Sequence, residues 1–131
     1  MKPNLVCVPI SVGELIDKVS ILTIKRVMIS DSDKLVHVKK ELMDLMDMAK
    51  YFLENREIEE LFDLLVQVNR NLWEVEDALR QMENDEDFGS LFVLKARSVY
   101  RLNDRRYTIK TKINAVMGSS IIEVKSHPDY S

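Results

Sequence analysis

Apolar residues recur at helical spacing along almost the whole chain and predict four helices. The longest patterned stretch is LFVLKARSVYRLNDRRYTIKTKINAVMG, Leu91 to Gly118. Leu91, Leu94, Leu102, Ile109, Ile113 and Val116 form its expected core stripe. A polar stripe follows the same period: Arg97, Tyr100, Asp104, Tyr107, Thr111 and Asn114, with Asn103 and Lys110 beside it. Gly118 is placed to end this helix, since glycine tolerates the left-handed backbone of a C-terminal cap.

Upstream, Ser11 and Glu14 have the spacing of a capping box, in which each side chain takes an orphan backbone N–H of the other residue. The helix that follows carries Leu15, Val19, Leu22 and Ile29 on one face and Glu14, Asp17, Lys18, Ile21 and Lys25 on another. That second face is either a solvated stripe with an internal Glu14–Lys18 pair or part of a site. DSD at 31–33 supplies the next turn and cap. Helix 2, from about Lys34 to Glu54, steps through Leu35, Val38, Leu42, Leu45, Ala49 and Phe52 as a heptad seam. Helix 3 extends the pattern through Ile58, Leu61, Leu65, Val68, Leu72, Val75, Leu79 and Met82. The short join between the two seams predicts a long antiparallel coiled-coil hairpin of helices 2 and 3. Helix 3 also bears a second stripe, Phe62, Val66, Asn69, Trp73, Glu76 and Arg80, with Asp77 adjacent.

The expected fold is therefore all-α: one helical domain over residues 1–131, a four-helix bundle with that hairpin and short extended terminal segments. Leu5 to Ile10 reads as an extended lead-in or short strand, and the weakly alternating tail at 121–125 is either a strand to pair with Leu5 to Val8 or an arm reaching a neighbouring subunit. Only three Gly and three Pro interrupt the chain, which suits long helices. The single cysteine, Cys7, excludes an internal disulfide framework and fits a reducing compartment. No apolar run reaches the roughly 20 residues of a membrane span, and MKPNLVCVPIS is too short and Pro-interrupted for a secretory signal. The expected setting is soluble and cytoplasmic.

Charge is segregated. Residues 31–87 hold seventeen acids and seven bases, whereas residues 88–131 hold three acids and eight bases. Either the last helix neutralises the acidic middle, or it forms a basic groove for an anionic ligand. The acidic middle argues against duplex nucleic acid.

Metal chemistry lacks a ligand set. His37 and His127 are the only histidines, and no Glu-x-x-His pair exists. Glu57/Glu60 and Glu74/Asp77 match the carboxylate pairs of helical Mg-dependent nucleotide pyrophosphatases, but one continuous helix would separate them by roughly 20–25 Å. No cofactor motif, P-loop or nucleophile elbow is present. The polar stripes either pack against each other, with Glu76, Asp77 and Asp104 paired to Arg97 or Arg105, or hold a planar, anionic ligand, with Trp73 to stack, Asn69 to read an edge, and Arg80 or Arg97 to take a phosphate or carboxylate. The candidate site thus comprises Glu14, Asp17, Lys18, Lys25, Asn69, Trp73, Glu76, Arg80, Arg97, Tyr100, Asn103 and Asp104.

Four segments, SVGELIDKVSILTIK, VNRNLWEVEDALR, ARSVYRLNDRRYTIK and INAVMGSS with IIEVKS, resemble those of a small helical domain family of uncharacterised function. The resemblance covers nearly the whole chain. It implies a setting in bacteria and phages, sometimes beside or attached to glycosyltransferase and surface-polysaccharide genes, but no activity. Its motifs fall on the residues of the candidate site, with Asp77 and Asn114 in addition. The ending KSHPDYS, after a less acidic lead, departs from the family pattern. Three function classes follow. The first is a non-enzymatic binding protein for a nucleotide or nucleotide sugar, in a phage a sponge for a nucleotide signal. The second is a structural adaptor of a glycosyltransferase. The third is a sugar- or nucleotide-acting enzyme using Glu14, Asp17 or Asp104. A homo-oligomer, in the simplest case a dimer, is expected.

Overall fold

The computed structural model describes residues 4–119 and 123–129. It contains four helices: α1 (Val12–Met28), α2 (Ser32–Leu53), α3 (Arg56–Asn84) and α4 (Ser90–Met117). Side-chain caps begin the first three. The Ser11 hydroxyl accepts from the Glu14 N–H at 3.1 Å. Asp31 accepts from the N–H groups of Asp33 and Lys34, and Asn55 from those of Glu57 and Ile58. These caps satisfy amides that no helix can satisfy internally. The Glu14 carboxylate, expected to reach back to Ser11, lies 2.8 Å from Lys110 Nζ instead. α4 ends at Gly118 in the left-handed conformation (φ 64°), where the Ser119 N–H donates to the Asn114 carbonyl at 2.9 Å.

α1 is the hub. Gly13, Leu15, Ile16, Asp17, Val19, Ser20, Leu22 and Ile24 are all buried, so it is covered on most of its circumference. α1 and α3 each touch every other helix, while α2 and α4 do not meet. The core joins Ile16 and Val19 of α1 with Ala49 of α2, Ile58 and Leu65 of α3, and Ile113 of α4.

The packing differs from the expected hairpin. α2 and α3 make the sparsest contact of any touching pair, and the most extensive pairing is α3 with α4. Both heptad seams exist, but α1 takes up much of what they offer. A heptad seam specifies a helical partner without specifying which one.

The outer end of the α3/α4 pair forms an arm. The last buried residue of α3 is Leu72 and the first of α4 is Ile109. α1 still reaches Trp73, Glu76, Asn103 and Arg106; beyond these each helix has mainly the other for cover. Leu91 and Leu94, expected in the core, are therefore 53% and 61% exposed. At the arm's turn Glu86 adopts φ 54°, the only positive φ among described residues other than glycine.

Residues 4–10 are exposed and form no strand. Of the expected tail strand, residues 121 and 122 lie outside the described residues; residues 123–129 run irregularly back along α4. No described helix is long and apolar enough to cross a membrane.

Candidate functional site

A buried polar network joins α1, α3 and α4. Asp17 is fully buried. Its carboxylate accepts from Arg106 Nε at 2.9 Å, from Arg106 Nη2, and from Asn69 Nδ2 at 3.0 Å. Asn69 Nδ2 also donates to Ser20 Oγ at 2.8 Å, and that hydroxyl donates to the Asp17 carbonyl at 2.6 Å. The hydrogen bond to Asp17 is the main reason that the Arg106 guanidinium sits above its ordinary pKa. Every buried polar side-chain atom among the described residues has a partner, the condition for an ionic group in a core.

A second lock lies one turn along α4. The Gly13 N–H donates to Asn114 Oδ1 at 2.7 Å. A Cβ on Gly13 would stand 2.5 Å from the Lys110 carbonyl oxygen and 2.8 Å from Asn114 Oδ1, so only glycine admits this approach of α1 to α4. Lys110 is nearly buried and lies 2.8 Å from Glu14 and 2.6 Å from Glu123. Burial pushes its pKa down, but the hydrogen bonds with Glu123 and Glu14 outweigh that and hold it above the usual lysine value. Glu123 belongs to the C-terminal segment, which has further ties to α4. The Tyr107 hydroxyl donates to the Glu123 carbonyl at 3.2 Å, and Lys125 Nζ lies 3.1 Å from Asp104 and 5.0 Å from the centre of the Tyr107 ring.

These contacts redistribute the candidate residues. Glu14, Asp17 and Asn69 are structural partners in the two locks. Asn69, Trp73, Glu76 and Asn103, with Arg106, do come together around a cleft of about 150 Å³ between α1, α3 and α4. Small-molecule sites usually enclose roughly 300–1,000 Å³, so the cleft is too small for a nucleotide. Arg80 reaches back to Glu76 at 3.9 Å, largely in solvent. Lys18 is exposed, Lys25 is half-buried, and neither lines the cleft.

Tyr100 and Asp104 line a different opening, a groove of about 410 Å³ completed by His127 and Pro128 of the C-terminal segment. Arg97 stands one turn before Tyr100 and donates to its hydroxyl at 3.5 Å. That hydrogen bond lowers the Tyr100 pKa against a smaller opposing effect of desolvation, and Arg101 lowers it further. Among the described residues no carboxylate lies within 4.0 Å of the Arg97 or Arg101 guanidinium. No group of three or more His, Cys, Asp or Glu is gathered among them either.

Two residues central to the geometry, Arg106 and Gly13, were not among the sequence candidates. Arg106 had a signal. Leu102, Arg106, Ile109 and Ile113 step by 4, 3 and 4, so a cation occupies a core position and demands a buried acid.

No curated protein and no solved structure matches the chain. A family model matches residues 6–129, from ahead of α1 to the end of the C-terminal segment. The chain therefore belongs to that family, a family of unknown function (DUF6165).

Proposed function

We propose that the protein is a non-enzymatic binding protein for an anionic small molecule, a nucleotide or nucleotide sugar. One observation carries this: Arg97 and Arg101 flank Tyr100 on one face of α4, with no carboxylate partner among the described residues, beside a groove of about 410 Å³. Guanidinium forks of this kind take a phosphate in bidentate geometry. Tyr100 and His127 supply flat surfaces for a ring, and Asp104 an acceptor for a ribose or sugar hydroxyl. The Trp73 cleft, with Asn103 on the turn of α4 next to Asp104, is a secondary contact rather than the seat of the ligand. The three carboxylates weighed for acid–base chemistry all face cations: Glu14 and Lys110, Asp17 and Arg106, Asp104 and Lys125. That favours binding over catalysis. In the bacterial and phage setting of the resemblance, beside glycosyltransferase genes, nucleotide sugars are the ligand class at hand, and a phage copy would act as a sponge for a nucleotide signal.

Calorimetric titration of the full chain with UMP, ATP and UDP-glucose tests the proposal. Arg97→Ala should weaken binding by about 1.5–3 kcal/mol, the worth of a charged hydrogen bond, and leave the melting temperature in place. Failure of all three to bind, together with a native mass spectrum of host-purified protein showing only bare chain, would refute it. One observation favours a second reading, an adaptor of a glycosyltransferase: Phe88, Leu91 and Leu94 are all more than half exposed on the arm.

A further inference from the structure

We propose that the arm formed by the end of α3 and the start of α4 is a self-association surface, whose occupant is a second copy of this chain lying end-for-end along it. Leu91, Leu94, Ser98, Arg101 and Arg105 step by 3, 4, 3 and 4 and share one stripe of α4. Phe88, edge-on to Phe92 at 5.3 Å, stands at the stripe's outer end and is 54% exposed. At the inner end Arg105 and Lys112 line a groove of about 290 Å³ with Leu64 and Asn71 of α3. The stripe thus runs from an apolar tip to a basic groove.

The charges complement one another within the same arm. Residues 74–87 carry seven acids and one base; residues 88–106 carry five bases and one acid. A partner of one sign would satisfy half of this surface and be repelled by the other half. A second copy turned end-for-end satisfies both. With the two-fold axis at Ser98, Leu91 of each copy meets the Arg105 stem of the other, and Leu94 meets that of Arg101. Asp85, Glu86 and Asp87 at each tip then lie over the other copy's Arg105 and Lys112. Neither cation has a carboxylate within ion-pair distance among the described residues of its own chain. Ser98 suits the crossing point. It is small, and its hydroxyl already donates to the Lys95 carbonyl at 2.6 Å, so burying it strands no donor. This symmetric, isologous contact is the commonest route to a dimer. It shares Arg101 with the ligand site, whereas Arg97 and Tyr100 lie off the stripe.

Sedimentation velocity of the full chain, over about 10–500 µM, provides the test. Wild type should pass from one to two chain masses, and at a lower concentration in low salt than in high. Leu94→Lys, at an exposed position and opposite the other copy's Arg101, should leave the circular dichroism spectrum unchanged and hold the chain monomeric throughout. Arg105→Glu should weaken association by at least about tenfold, through like-charge contact with the tip acids. Adding Glu86→Lys and Asp87→Lys to Arg105→Glu should restore most of the loss. A wild type monomeric at the highest concentration overturns the proposal, since the apolar face then awaits another partner. So does a dimer indifferent to Leu94→Lys, or a charge reversal that the tip lysines fail to rescue.

Discussion

Replace Arg106 with methionine and the Asp17 carboxylate keeps its place without its guanidinium. Asp17 is fully buried, so water cannot take over. Asn69 remains its one side-chain donor. Removing one partner of a buried ion pair costs about 3–5 kcal/mol, and the full burial of Asp17 puts this site toward the upper end. A chain of this length loses about 4 °C of melting temperature per kcal/mol, so Arg106→Met should melt about 12–20 °C lower. The reverse deletion is milder. Arg106 keeps 27% of its side-chain surface exposed, so in Asp17→Ala the guanidinium is partly hydrated, and the cost should be about 2–3 kcal/mol. The decisive measurement is the double variant. If the two groups hold each other, Asp17→Ala with Arg106→Met should be scarcely worse than Arg106→Met alone, a coupling of about 2–3 kcal/mol in chemical denaturation. Costs that add within about 0.5 kcal/mol would refute the account of this network as the joint between α1 and α4.

Gly13→Ala should destabilise by about 1–3 kcal/mol through overpacking, since its Cβ meets backbone at 2.5 Å; the gain of about 1 kcal/mol in helix propensity at an open site makes any stabilisation a refutation. Glu86→Gly should stabilise by about 0.5–1 kcal/mol in denaturant titration, because glycine relieves the left-handed backbone at φ 54°. The Lys110 pKa is raised in the folded chain, so its stabilising effect is complete below the unfolded value near about 10.4 and is lost as pH climbs through the folded one. Melting curves of wild type and Lys110→Met should therefore keep a constant separation from neutral pH to about 10 and converge only above the unfolded value near about 10.4; convergence at neutral pH would count against the Glu14–Lys110–Glu123 lock.

Much of the fold could be read from periodicity, because an amphipathic stripe is a local property. Ser11, Asp31 and Gly118 mark helix ends through their own side chains or backbone freedom, and the structure uses all three; the Asn55 cap of α3 went unread. The choice of partner was less legible. The heptads of α2 and α3 admit several neighbours, and the burial of α1 on most sides rests on Ile16, Ser20 and Ile24, which fall outside its simplest apolar stripe. Leu91 and Leu94 carry the right spacing for a core, but they sit where α4 has outrun α1. The site divided in the same way. Sequence spacing placed Asn69, Trp73 and Glu76 on one face, and they do line one cleft with Asn103. It did not separate residues held in internal locks, such as Asp17, from those left facing solvent, such as Arg97. That distinction depends on Arg106 meeting Asp17 across 89 positions of chain.

The same separation governs the order in which the molecule assembles. α3 and α4 are joined by a short turn and can pair as soon as both have left the ribosome. α1 emerges first of the four helices, yet its contacts with α4 close loops of 89 and 101 residues. Loop closure on that scale slows folding. α2 and α3 can cover part of Leu15, Ile16 and Val19 as they are made, but the α4 side of α1 stays open, which leaves the nascent chain prone to aggregation until α4 is complete. The earliest helix to be made is the last to be locked, and truncations ahead of Arg106 should leave α1 exposed to proteases and chaperones.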